Sequence, residues 1–146
     1  MPPGWALFSE PDFDLRFVYP RKVSGGEPPS LEMQPRPGGR SVRVTTPDMR
    51  AVYVEIRQAS AREATESLRV LKEGLSARFD DAKFDKVETG TIAEMAAIAI
   101  TFRFADRVRT ALFTRQSAPS YAVVYDPRSV LNELIVASIE LADPER

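Results

Sequence analysis

The stretch Thr91–Gln116, TIAEMAAIAITFRFADRVRTALFTRQ, decides the fold of this chain. From Glu94 to Phe104 apolar and other positions alternate with the period of a strand, placing Ala96, Ile98, Ile100, Phe102 and Phe104 on one face. The opposite face begins with Met95, Ala97 and Ala99 and turns polar at Thr101 and Arg103. A strand apolar on both sides for half its length belongs to a sheet covered on both faces at one end. Ala105-Asp106-Arg107 then turns the chain into a second strand, Val108 to Arg115. Two long strands joined by a short turn run antiparallel.

Working outward, Tyr121 to Tyr125 is a further strand, and Phe84 to Glu88 is a short one punctuated by Gly90. Upstream, Ser60 and Glu63 have capping-box spacing at the start of a helix over about Ala61 to Arg78. Ala64, Leu68, Leu71, Leu75 and Phe79 form its apolar stripe, with Arg62, Glu66, Arg69, Lys72 and Glu73 opposite. Before it, Ser41 to Thr46 and Ala51 to Gln58 read as strands joined by a hairpin connection at Thr46-Pro47-Asp48-Met49-Arg50. Phe13 to Tyr19 alternates likewise, and Pro20 is expected to end it after a short lead-in over residues 1–12. Arg21 to Arg40 is rich in Gly and Pro and reads as one long loop, with at most a brief extended piece around Leu31 to Met33. At the other end, Asp126 as N-cap and Pro127 in the first turn open a closing helix. Val130, Leu131, Leu134, Ile135, Ser138 and Leu141 make its broad face, which is expected to be deeply packed.

The fold class that follows is α+β. A single domain over residues 1–146 carries an antiparallel sheet of about six or seven strands, packed by two main helices in a three-layer α/β/α sandwich.

Composition narrows the chemistry. Apolar residues make up 43% and charged residues 28%, as in an ordinary globular domain. Lys plus Arg (20) and Asp plus Glu (21) nearly cancel, which disfavours nucleic-acid binding because phosphates are held by a basic surplus. The chain has no Cys, hence no disulfide, thiol nucleophile or thiolate metal site. It has no His either, which removes Ser-His-Asp hydrolysis and ordinary zinc chemistry. All-carboxylate hydrolysis and oxygen-ligand Mg²⁺ or Ca²⁺ sites survive that exclusion. No apolar run is long enough to span a membrane. The Met1-Pro2-Pro3-Gly4-Trp5 start is not that of a signal peptide, so the chain reads as cytoplasmic, although one trimmed of an export signal would read the same.

Four candidate features stand out. Arg57, Arg103, Arg109 and Arg115 line one exposed face and receive an anionic partner if Val108, Thr110 and Leu112 point into the core. A one-residue change of register would bury Ala111 and Phe113 instead and scatter them. Tyr19, Tyr53, Tyr121 and Tyr125 offer an aromatic lining for a small pocket, although half-buried sheet positions suit Tyr equally. Asp80-Asp81 with Asp85 is a carboxylate cluster lacking the spaced ligands of a cation loop, and Asp12 and Asp14 have no evident partners. The Arg21–Arg40 segment is a candidate partner-binding loop or a plain connection. No catalytic, cofactor-binding or metal-ligating set emerges.

DFDLRFVYP near the start, VYVEIRQASAREATESL, the opening stretch TIAEMAAIAITFRFADRVRTALFTRQ, and SYAVVYDP leading into ELIVASIEL together resemble the PsbP-like family. That family holds photosystem II accessory proteins, the Ran-binding Mog protein of eukaryotes, and many bacterial proteins and lipoproteins. The resemblance covers most of Phe13 to Leu141 and rests on order and pattern. The family often carries a Trp a few residues after the Tyr-Pro, where this chain has Val23. No Ran-binding or photosystem-docking residues match. The resemblance implies a layered antiparallel sandwich acting as an accessory or protein-interaction domain, a monomer or weak dimer, without catalysis. The alternative is a carrier of a small apolar ligand or lipid, with a cavity between helix and sheet lined by Tyr19, Phe102, Phe104 and Tyr121. Carboxylate hydrolysis ranks below both.

Overall fold

The computed structural model describes residues 3–11, 13–23, 28–36, 39–46, 51–59, 63–115 and 120–142. In chain order the elements are β1 (Trp5–Phe8), β2 (Leu15–Pro20), β3 (Ser30–Arg36), β4 (Gly39–Thr45), β5 (Tyr53–Ala59) and α1 (Ala64–Arg78). They continue as β6 (Lys83–Phe84), β7 (Glu88–Ile92), β8 (Met95–Phe104), β9 (Arg107–Thr114), β10 (Ser120–Tyr125), α2 (Val130–Ala137) and β11 (Glu140–Leu141).

The decisive stretch forms the hairpin β8–β9, paired from Ala97↔Thr114 to Phe104↔Arg107. Its turn is two residues long: Ala105 and Asp106 both adopt left-handed backbone, at φ +47° and +62°. Ala93 and Glu94 close β7 onto β8 in the same way, at φ +49° and +68°. Two left-handed central residues give the turn whose twist matches that of paired strands, a place usually taken by Asn or Gly. The Asp81 carboxylate steadies the β8–β9 turn by accepting the Ala105 N–H at 2.9 Å.

An eight-stranded antiparallel sheet runs β3-β4-β5-β10-β9-β8-β6, with β7 also paired to β8. Alternation along its strands gives two separate cores. On one face Ile100, Phe102, Ala111, Phe113 and Ala122 lie under α1, meeting Ala64, Leu68, Leu71 and Leu75. On the other face Val42, Val44, Val54, Ile56, Leu112 and Val123 meet Phe8, Leu15 and Phe17 of a second sheet, together with Ile135 of α2. That second sheet has three strands in the order β1-β2-β11. Phe8 stacks on Phe17 with ring centroids 4.8 Å apart. Three layers therefore result, and the third contains α2 beside a small sheet rather than a helix alone.

Several local expectations are corrected. The Arg21–Arg40 segment is not one long loop, because Ser30–Arg36 pairs along its whole length with β4. Pro35 is accommodated there because β3 is an edge strand, where a missing N–H costs no ladder bond. The lead-in holds β1, whose Trp5 pairs with Pro20, the residue at which β2 ends as expected. Glu63 is extended at the N-cap of α1, without a side-chain cap bond, so it cannot be the third helical residue of a capping box. Ser60 lies outside the described residues, as does the 47–50 connection.

The closing helix is shorter than its apolar pattern. Ser129 is its N-cap, and the Asp126 carboxylate instead accepts the Arg128 N–H at 2.9 Å in a tight local turn. The helix ends at Ser138, whose hydroxyl donates to the Ile135 carbonyl at 2.6 Å and accepts the Val18 N–H at 3.0 Å. The chain beyond then forms β11 against β2. The broad face is not deeply packed: Ile135 is buried, but Val130 is 72% and Leu134 49% exposed.

Candidate functional site: the cleft between α2 and β7–β9

The two-residue turn of β8–β9 fixes where the arginines go. Phe102 pairs with Arg109 and Arg103 with Val108, so Arg103 and Arg109 lie on opposite faces. Arg103 pairs with Asp85 at 3.3 Å on the exposed side. Arg109 is buried over the Tyr53 ring, 4.2 Å from its centroid, and reaches Asp126 at 3.4 Å. Burial holds its pKa below the usual arginine value, while Tyr53 and Asp126 pull it back up. Arg57 shares that face and pairs with buried Glu55, which Arg43 also contacts at 3.2 Å. Arg115 is exposed just beyond β9. The four arginines thus form no single row. Both Leu112 and the pair Ala111 and Phe113 are buried, each in a different core.

The aromatic lining is divided in the same way. Phe102 and Phe104 stack under α1 with centroids 5.8 Å apart, and Phe79 packs on Phe104 at 4.8 Å. Tyr121 and Tyr19 belong to the opposite core. Burial, then the Asp14 charge and a hydrogen bond to its carboxylate, push the Tyr121 phenol up to about 12. Asp14 also accepts from Gln58 at 2.8 Å, tying the start of β2 to β5. Asp12 and the Ser24–Glu27 part of the Gly/Pro segment lie outside the described residues. Of the Asp80, Asp81 and Asp85 cluster, Asp81 braces a turn and Asp85 serves Arg103.

The concavity lies elsewhere. On the sheet face away from α1, the third layer covers β4, β5 and β10 but leaves β7, β8 and β9 partly open. An open cleft of ≈ 1170 Å³ results, between that half-sheet and the wall formed by α2 and β11. Its floor is made of small side chains, including Gly90, Ala99, Thr101 and Thr110. Gly90 suits a close approach there: a Cβ would stand 3.0 Å from the Leu112 Cδ2, which would have to give, and 3.5 Å from the Ala99 Cβ. Thr101 and Thr110 share a hydroxyl bond of 2.8 Å across the floor.

The lining is acidic. Asp85, Glu88, Glu94, Glu133 and Glu140 are set against Lys86 alone. Asp85 and Glu140 are engaged by Arg103 and Arg16. That leaves Glu88, Glu94 and Glu133 with no ion-pair partner among the described residues. Tyr125 lies at the base, and its pKa is raised by burial and then by the Glu133 charge, against a hydrogen bond with Thr110. The sequence reading missed this site. Its unpaired acids come from β7, a tight turn, and α2, which no linear spacing joins; of its lining, Asp85, Gly90 and Tyr125 stood out in the sequence, each for a different reason.

An antiparallel sheet with a helix on one face, and a helix with a small sheet on the other, is the PsbP-like fold. The chain is similar to the solution structure of the cyanobacterial PsbP (CyanoP) from Synechocystis sp. PCC 6803, with a TM-score of 0.59 and 14% identity over 95% of this chain and 93% of that one. No family model and no curated protein matches the sequence. No helix of the described chain is long and apolar enough to cross a membrane.

Proposed function

We propose that this chain is an accessory, protein-interaction domain without catalysis that docks a protein partner in the cleft between α2 and β7–β9. The observation that carries the reading is the cleft itself, an open concavity whose floor is kept recessed by the small residues Gly90, Ala99 and two threonines. Its five carboxylates would repel a phosphate backbone, which favours protein over nucleic acid. The PsbP-like fold supports the same reading. The carrier alternative is less favoured, because the aromatic side chains expected to line one cavity fall in two separate cores, Phe102 and Phe104 under α1 and Tyr19 and Tyr121 opposite.

The test places a photo-crosslinking residue at Ala137, on the cleft wall, and separately at exposed Glu73 on α1, across the sheet. In extracts of the source cell the Ala137 probe should join one protein, saturably and at least about tenfold more efficiently than the Glu73 probe. Equal labelling from both positions would contradict the proposal, as would a small molecule retained in native mass spectrometry and displaced by cleft substitutions.

A further inference from the structure

The cleft is bordered by a strand with an edge that no described residue pairs with, and the hydrogen-bond pattern shows which atoms that edge presents. The Thr101 carbonyl accepts the Asp85 N–H, and the Ala96 carbonyl accepts the Arg115 N–H. Odd-numbered β8 residues therefore turn their backbone groups toward the β6–β7 side, and even-numbered ones toward β9. In β7 the residues opposite Met95, Ala97 and Ala99 are Ile92, Gly90 and Glu88, so these three bond to β8. Thr89 and Thr91 point their N–H and C=O outward. Among the described residues β7 pairs with β8 alone.

The two long edges of the large sheet differ. β3 carries Pro35 and follows Pro28-Pro29, which blunt an edge against further pairing. β7 reads Glu-Thr-Gly-Thr-Ile and has no proline or lysine within it. Its Glu88 and Gly90 side-chain positions face the cleft, since their partners Ala99 and Ala97 pack on the α2 side of the sheet.

We infer that the cleft and the β7 edge together bind an extended basic segment of the partner, added as a strand alongside β7 with Lys or Arg at alternate positions. This rests on the docking proposed above and names the chemistry of what docks. Strand addition supplies affinity through main-chain bonds to Thr89 and Thr91, while alternate side chains supply selectivity. The charge of the occupant follows from the lining. Glu88, Glu94 and Glu133 face a site whose one basic residue is Lys86, so cations are favoured and acidic segments repelled.

The added strand runs antiparallel to β7, so that directly opposed residues exchange main-chain bonds, and the geometry then makes a register-specific demand. Residues of the added strand opposite Thr89 and Thr91 direct their N–H groups at β7 and their side chains toward the α1 side. Residues opposite Glu88 and Gly90 direct their side chains into the cleft and their N–H groups away.

The experiment uses the whole chain and fluorescent peptides of alternating Lys and Val, read by anisotropy. The Lys-Val peptide should bind at least about tenfold more tightly than its Glu-Val counterpart, and less tightly as salt is raised. N-methylation of the Val residues should abolish binding, whereas N-methylation of the Lys residues should spare it. Glu88→Lys with Glu133→Lys should weaken the Lys-Val peptide about tenfold or more, with unchanged circular dichroism and thermal midpoint. Equal binding of the Glu-Val peptide, or indifference to Val N-methylation, would overturn the inference. If the Ala137 crosslink instead maps to an acidic or apolar segment of a partner, this inference fails and the docking reading stands. If no partner crosslinks at Ala137, the docking reading itself fails.

Discussion

Replacing Asp126 by alanine is expected to destabilise the domain by about 3–5 kcal/mol, the range seen when one partner of a buried ion pair is removed. Asp126 is 2% and Arg109 5% exposed, and among the described residues Arg109 meets no other carboxylate: it donates to the Val108 carbonyl, lies over the Tyr53 ring and reaches Asp126. Loss of the carboxylate strands a guanidinium that cannot shed its proton. Arg128→Ala should cost under about 1 kcal/mol, because its side chain is mostly exposed and Arg109 still neutralises Asp126. Urea unfolding of the two variants measures the contrast, and a similar small cost for both would refute the assignment.

The same carboxylate predicts the acid limb of stability. Burial pushes the Asp126 pKa up, but hydrogen bonds from Arg128 and the charges of Arg128 and Arg109 bring it to a net value below the ordinary 3.8. A group depressed in the folded state stabilises it fully above the unfolded pKa. That contribution is lost as pH falls through the folded value, below about 4. Asp126→Ala should therefore flatten the loss of stability in that window.

Replacing Asn132 by leucine is expected to cost about 2–6 kcal/mol, one unmet bond of about 1–3 kcal/mol at each of two backbone groups. Asn132 is fully buried within α2. Its carbonyl accepts the Tyr53 N–H at 3.1 Å and its amide donates to the Asp126 carbonyl at 3.0 Å. One side chain thereby ties the closing helix to the start of β5 and the end of β10. An apolar replacement of similar size leaves both groups unpaired in the interior. Besides lost stability, amide exchange should rise first along α2 and β11. A variant as stable as the parent would show that α2 is held by its apolar packing and its terminal serine bonds without the Asn132 bridge.

The physical reasons why some elements were legible and others not are specific. β8, β9 and α1 were readable because each carries a clean period; the cover expected on both faces around Met95, Ala97 and Ala99 is incomplete, since Ala96 is exposed on one side and Ala99 lines the cleft on the other. β3 was read as loop because Pro and Gly mark loops in general, and only an edge position makes Pro35 compatible with a strand. The arginine row failed on one residue of turn length. A three-residue turn at Ala105-Asp106-Arg107 would set Arg103 opposite Arg109; the actual two-residue turn sets it opposite Val108. Neither Ala105 nor Asp106 is a glycine, so nothing in the sequence announced that turn. In α2 the apolar residues were identified correctly but their burial was not. Apolarity says that a side chain gains by leaving water, not that a partner waits for it, and Val130 and Leu134 remain exposed. The buried residue that positions the helix, Asn132, is polar and was invisible to a search for apolar periodicity.

The cleft could not be read along the chain because it is a product of uneven coverage. The third layer spans the β4–β5–β10 half of its sheet face and reaches β7 at its buried Ile92 end, leaving Glu88 to Thr91 open. What remains is a free strand edge bordered by carboxylates, and the account stands on that edge being where a partner joins. Amide exchange followed by NMR, with and without saturating Lys-Val peptide, reports on it residue by residue. The account predicts that Thr89 and Thr91, bonded to no strand in the free domain, exchange at least about tenfold more slowly in the complex. Unchanged exchange at both residues, with new protection along β3 or over α1, would place the partner elsewhere and contradict it.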